Sequence, residues 1–179
     1  MTNEEFQQRR YPVGEYEAPS NWTQTEIDSW IEDIRSLPSK LREAVKGLTD
    51  EQLEWTYRPD GWTIRQVVHH CADSHINSIM RFKLALSEDH PTIRPYNEVE
   101  WAKLVDSEGP IEMSLALVDS LHARWVYLLE RLTPEQLHRT YYHPDDDATR
   151  TVGETIALYA WHCRHHLAHV VGAVERQGK

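Results

Sequence analysis

Three things are scarce in this chain, and each scarcity removes a class of protein. The 179 residues hold two cysteines, Cys71 and Cys163, too few for a disulfide framework. Basic residues are outnumbered, 19 against 29 acidic, for a net charge of -10. With no basic stripe, a phosphate backbone is a poor partner, so nucleic acid is set aside. Long apolar runs are missing as well. No stretch approaches the ~20 residues of a membrane span, and the opening MTNEEFQQRR has no apolar signal core. The expectation is a cytoplasmic protein without a membrane partner. What remains is ordinary: 40% hydrophobic and 27% charged residues, in a length that suits one domain with a real core.

Against that background one stretch stands out, Tyr159-Ala160-Trp161-His162-Cys163-Arg164-His165-His166-Leu167-Ala168-His169, with four histidines near the C-terminus. On a helix, His162 and His166 lie about 40° and one turn apart, so both imidazoles can reach one ion. His165 and His169 form a second such pair. The apolar residues Val152, Ile156, Tyr159, Cys163, Leu167, Val170 and Val174 define a buried arc. His166 and His162 border it, whereas His169 and His165 turn away. Metal sites in bundles use inward-projecting side chains, so His162 and His166 are favoured as ligands. His165 and His169 are expected to be exposed or to support the site. Each cysteine follows a candidate histidine and reads as small core filler.

Taken in order, residues 1–22 are punctuated by Pro12, Gly14 and Pro19 and read as an extended arm over a single domain, 23–179. Thr23 with Glu26 opens a first long helix carrying Trp30, Ile34, Leu37, Leu41, Val45 and Leu48. Pro38 inside it predicts a kink or split. Thr49 with Gln52 opens a short helix. Thr63 with Gln66 opens a second long helix to about Leu86, with Ile64, Val67, Val68, Cys71, His75, Ile79 and Phe82 on its apolar face. Residues 87–110 have no clear periodicity. That length could cross a bundle from end to end and leave helices two and three parallel. A third long helix holds Met113, Leu117, Leu121, Trp125, Leu128, Leu129 and Leu132. Then Leu132-Thr133-Pro134-Glu135-Gln136-Leu137 echoes Leu48-Thr49-Asp50-Glu51-Gln52-Leu53, and Thr151 with Glu154 opens the fourth long helix. The echo points to two related halves, each ending in a His-bearing helix. The second long helix offers His69, His70 and His75. His75 sits mid-arc and reads as a hydrogen-bonded core histidine. The wheel leans to His70 over His69, because His70 shares a polar seam with Ser74, Asn77 and Arg81.

Trp62-Thr63-x-x-x-Val67-Val68-His69-His70-x-Ala72-Asp73-Ser74 and Trp161-His162-x-x-x-His166-x-x-His169 resemble the two His segments of the DinB-like family. More narrowly they resemble its YfiT branch, described as candidate metal-dependent hydrolases. Tyr11-Pro12-x-Gly14-x-Tyr16, Arg81-Phe82-Lys83-x-x-Leu86, Ile93-Arg94-Pro95-Tyr96 and Tyr142-His143-Pro144 fit that branch too. The resemblance implies metal ligands at His70, His162 and His166. It also implies an all-α four-helix bundle running up-down-down-up, with the long crossover between helices two and three, and a homodimer.

Three imidazoles with no carboxylate or thiolate leave coordination positions open, as in catalytic zinc sites. Zinc is the first expectation, with Ni²⁺, Fe²⁺ or Mn²⁺ as alternatives, one ion per subunit. Asp73 and Glu154 are the nearest candidates for a general base or for hydrogen bonds to the ligands. Arg81 and Arg94 are expected in salt bridges or against an anionic substrate. Three functions follow. The first is a hydrolase of a small-molecule substrate using activated water. The second is an S-transferase using a low-molecular-weight thiol such as bacillithiol or mycothiol, as in related DinB-like enzymes. The third is a non-enzymatic, stress-associated bundle tied together by the ion.

Overall fold

Threonines followed three residues later by Glu or Gln open most of the helices in the computed structural model, which describes residues 1–178. The first of these lies within the segment expected to be extended. Thr2 and Glu5 form a reciprocal cap on α1 (Asn3–Arg10), so the N-terminal segment is helical before it runs extended to residue 22. Reading residues 1–22 as extended throughout is corrected to that degree. Acidic Glu4 and Glu5 at the start and Arg9 and Arg10 at the end both favour the helix dipole.

The Thr23–Glu26 cap opens α2 (Gln24–Ala44), and Thr49–Gln52 opens the single turn α3 (Asp50–Leu53). α2 continues through Pro38, so the proline does not split the helix. A proline there removes one N–H, whose helical acceptor would be the Ile34 carbonyl. That carbonyl instead accepts from the His122 ring at 2.6 Å, so the missing bond is replaced. Thr63–Gln66 opens α4 (Ile64–Ser87). The crossover contains α5 (Glu98–Trp101) and a 3-10 turn at Val105–Glu108. After it come α6 (Ile111–Leu129) and the capped turn α7 (Pro134–Leu137). An antiparallel hairpin follows, β1 (Thr140–His143) with β2 (Ala148–Thr151), and then α8 (Val152–Gln177).

Side-chain contacts fix the direction of each long helix. His69 meets Ser114, His75 meets His122, and Phe82 meets Trp125, so α4 and α6 advance together and are parallel. Arg42 pairs with Glu112 and Asp119, while Arg35 pairs with Glu130. α2 and α6 therefore run antiparallel. His70 meets His162, and the Ser74 carbonyl accepts from Tyr159 OH, so α4 and α8 are also antiparallel. The order is up-down-down-up. Parallel α4 and α6 oblige the chain to travel back the length of α4, about 36 Å, which accounts for residues 88–110. Pairing of Pro91 and Ile93 with Tyr142, and the Gln66 amide donating to the Ala102 carbonyl, pin that crossover down.

The two-half echo is visible in the backbone. Thr56 bridges Thr63, and Thr140 bridges Thr151, in each case just before a His-bearing helix. Each loop between bridged threonines holds an aspartate at positive φ, Asp60 and Asp147. The second loop is longer and zips into the hairpin, a feature absent from the sequence reading.

The core is apolar, with Trp125, Phe82, Tyr141 and Ile156 almost wholly buried. At the start of α8 the Trp22 indole presses on Gly153. A Cβ there would stand 2.3 Å from Trp22 Cζ2, and the neighbouring atom is a ring that cannot flex away. Gly153→Ala is expected to cost about 1–3 kcal/mol by overpacking, read as a shifted midpoint in chemical denaturation.

Candidate metal centre

Antiparallel α4 and α8 bring His70 up against His162 and His166. The Nε2 atoms of His70 and His162 are 3.2 Å apart. Ring centroids lie 4.7 Å apart for His70–His166 and 4.4 Å for His162–His166. One nitrogen from each of the three can be chosen so that all lie within 4.8 Å of one another. Two nitrogens on one tetrahedral zinc stand about 3.4 Å apart, so a small inward movement closes the set on an ion. His70 and His166 are buried and His162 is partly buried. Burial pushes the His70 imidazolium down to about 3. Burial also holds His162 and His166 well below 6.5, and neighbouring imidazoles add to the effect. All three are neutral at pH 7 and can offer a lone pair.

The other histidines sort by their partners. His69 turns away from the cluster. Its Nε2–H donates to the Gly109 carbonyl at 3.1 Å, which leaves Nδ1 to accept from Ser114 at 2.8 Å. Neither nitrogen is free. His75 is wholly buried and hydrogen-bonded, and its Nε2 lies 3.0 Å from His162 Nδ1. His122, which carried no signal in the sequence, stands behind it at 2.7 Å.

His165 and His169, expected either to be exposed or to support the site, are buried, at 7% and 3% exposure, which removes the first alternative. The helical wheel weighs only the bundle interior, whereas α1 and the segment after it cover this face. His169 stacks on Tyr57 at 3.7 Å and donates from Nε2 to the Arg10 carbonyl. His165 stacks on Trp161 at 4.3 Å, and the Trp161 indole N–H donates to the Gly14 carbonyl. With His166 they form a second group of three imidazoles. Cys71 and Cys163 are buried, and burial raises the Cys71 thiol to about 12. Neither offers a thiolate.

The carboxylates lie elsewhere than the sequence suggested. Glu154 does not reach the cluster. Its Oε2 accepts from the Thr151 N–H and hydroxyl at 2.7 and 2.9 Å and caps α8, two turns before His162. The Asp73 carboxylate hydrogen-bonds no imidazole among the described residues. Burial, with Asp106 nearby, raises it to about 6. Glu98, on the crossover, was missed because no periodicity marks that segment. Two cavities of about 550 and 540 Å³ flank the cluster, and both are bordered by Glu98 and His162. Glu98 is exposed over much of its surface, and burial of the remainder raises its carboxyl. Arg81 lines the second cavity with Ser74 and Tyr96. Among the described residues neither Arg81 nor Arg94 makes a salt bridge.

A four-helix bundle in up-down-down-up order, with imidazoles from two facing helices gathered beside a cavity, has the layout in which bundles can build metal sites in their interior. The chain belongs to the DinB superfamily, whose family model matches residues 33–170. It is similar to a protein of Halalkalibacterium halodurans named "Putative metal-dependent hydrolase", 50% identical over 93% of this chain and 97% of that one. A Bacillus mycoides protein of the same name is also 50% identical, over 93% of this chain and 96% of its own. Among solved structures, Bacillus subtilis YfiT superposes with a TM-score of 0.93 at 46% identity, covering 96% of this chain and 98% of that one. YfiT is described as a probable metal-dependent hydrolase with an unusual four-helix bundle topology. No helix among the described residues is long and apolar enough to cross a membrane.

Proposed function

We propose that His70, His162 and His166 hold one divalent ion, zinc in the first instance, and that the chain hydrolyses a small-molecule substrate bound in the flanking cavities. The observation that carries this reading is the convergence of neutral imidazole nitrogens from α4 and α8, with no carboxylate or thiolate closing the set among the described residues. The names of the relatives support the hydrolase class. The competing trio fits an ion less well. His165, His166 and His169 all come from one helix, and the His169 Nε2 is already engaged with the Arg10 carbonyl.

Held by three imidazoles, the ion supplies Lewis acidity that makes water a stronger acid near neutral pH. The chain's own residues do the rest. His75 fixes the His162 ring from behind. Trp62, 4.6 Å from His70, shields the ligands from bulk water. Glu98, bordering both cavities, would accept a proton from a reacting water, a role for which Asp73 and Glu154 were candidates in the sequence. Ser74 Oγ, 3.3 Å from His162 Nε2, and Arg81 face the second cavity and can orient a substrate.

The test combines metal analysis of the purified chain with ester and amide substrates, each run with and without chelator, and with a thiol-conjugation assay. Chelator-sensitive hydrolysis restored by zinc is the expected result. Turnover that consumes a low-molecular-weight thiol and spares esters and amides would replace hydrolysis with S-transfer. One ion per chain with no turnover in any assay would leave a metal-tied structural bundle.

A further inference from the structure

Pro38, which leaves α2 intact, has a consequence four residues upstream. The Ile34 carbonyl has no helical N–H to accept, and His122 Nδ1 approaches it at 2.6 Å. A carbonyl only accepts, so Nδ1 of His122 carries the proton. A neutral imidazole has a single N–H, so His122 Nε2 holds a lone pair. That atom stands 2.7 Å from His75 Nδ1, which must then be the donor. His75 Nε2 accepts in turn, from His162 Nδ1 at 3.0 Å. His162 is left with its proton on Nδ1 and a bare Nε2, the atom that faces His70. Every proton position follows from the one before it. Burial, at 0% exposure for His75 and 1% for His122, disfavours a charge on either ring. The Asp119 carboxylate is paired with Arg42.

We propose that His122 and His75 are positioning residues, a two-imidazole relay anchored on the Ile34 carbonyl that locks His162 in the Nδ1–H form and presents Nε2 for metal binding. The proposal rests on the reading of His162 as a ligand. Free histidine favours the opposite tautomer, so an unlocked His162 would have to move its proton before it could bind. Ligating histidines usually donate to a carboxylate or a backbone carbonyl. Here the carbonyl acts through two neutral rings, which adds no negative charge beside the ion.

The experiment is a long-range proton–nitrogen correlation spectrum of ¹⁵N-labelled, chelator-treated full-length chain at neutral pH, followed by zinc titration. The expected spectrum shows Nδ1–H for His122, His75 and His162. A His162 protonated on Nε2 would overturn the relay, whatever the metal does. His122→Phe keeps all three proposed ligands and an aromatic ring beside Trp125. In it, His162 is expected to lose its pure Nδ1–H signature and zinc affinity to fall roughly 10–100-fold, with far-UV circular dichroism unchanged. A variant with wild-type tautomer and wild-type affinity would also overturn the proposal. Should the variant fail to fold, the wild-type spectrum decides alone. If the wild-type chain shows the expected protons but takes up no zinc, the failure belongs to the ligand assignment and not to the relay.

Discussion

Replacing His166 by alanine removes both the ion and the activity. His166 supplies one of three donors, and a site left with two imidazoles binds a divalent ion weakly enough to be emptied during purification. Bound zinc should fall from one per chain to nearly none, and turnover by at least about 1000-fold if the ion activates the nucleophile. Stability should respond in a distinctive way. An ion bound to the folded state alone stabilises it by about 4 kcal/mol when present at 1000 times its Kd, and the variant should forfeit that gain. Metal-free at neutral pH, where this buried ring is uncharged, the variant should unfold somewhat earlier than the metal-free parent, because its truncation leaves a cavity. His165→Ala is the matched control. It belongs only to the second trio, so it should keep zinc and activity. Loss of zinc from His165→Ala with retention in His70→Ala would reverse the assignment.

Acid should unfold the chelator-treated protein between pH 6.5 and about 4. His70 and His169 are held near 3, His122 and His165 near 4, and burial is the leading cause in each case. Above pH 6.5 neither the folded nor the unfolded chain takes up protons at these groups, so stability is at its full value. As pH falls through 6.5, the unfolded chain binds protons that the folded chain refuses. Stability then drops until the folded groups titrate in their turn. Each group costs about 1.4 kcal/mol per pH unit. Two of them acting over two units already reach the lower end of a domain's ~5–15 kcal/mol. Asp73 opposes this, since a carboxyl raised to about 6 favours the folded state as pH falls towards its ordinary 3.8. Glu98, also raised by burial, acts in the same direction, so two carboxyls oppose several histidines. Far-UV circular dichroism followed against pH measures the midpoint, and zinc-loaded protein should hold out to lower pH. A metal-free chain still folded at pH 3 would show that the histidines are not buried as described.

Much of this was legible in the sequence, for identifiable reasons. Thr-x-x-Glu/Gln pairs marked helix starts because the same two side chains satisfy orphan N–H groups wherever they occur. The i, i+4 spacing of His162 and His166 placed both rings on one face whatever the rest of the chain did. Other features depended on distant partners. His165 and His169 are buried by residues 1–16, more than a hundred positions away. Pro38 stays within its helix because a histidine on α6 fills the gap it leaves. The hairpin had a local signal, Thr140-Tyr141-Tyr142 and Thr149-Arg150-Thr151 around a run of aspartates, but strands of four residues are too short for an alternating pattern to stand out between two helices. Glu154 looked available because it precedes the His stretch, yet its role as a cap partner for Thr151 already occupied it.

The central claim is one ion gripped by imidazoles from α4 and α8 with part of its coordination left to solvent. Anomalous diffraction at the zinc edge, from a crystal of the zinc-loaded chain, tests it most directly. The account predicts one peak within about 2.1 Å of nitrogens from His70, His162 and His166, with a non-protein oxygen completing the shell. A peak centred on His165 and His169, or a fourth protein atom closing the shell, would contradict it.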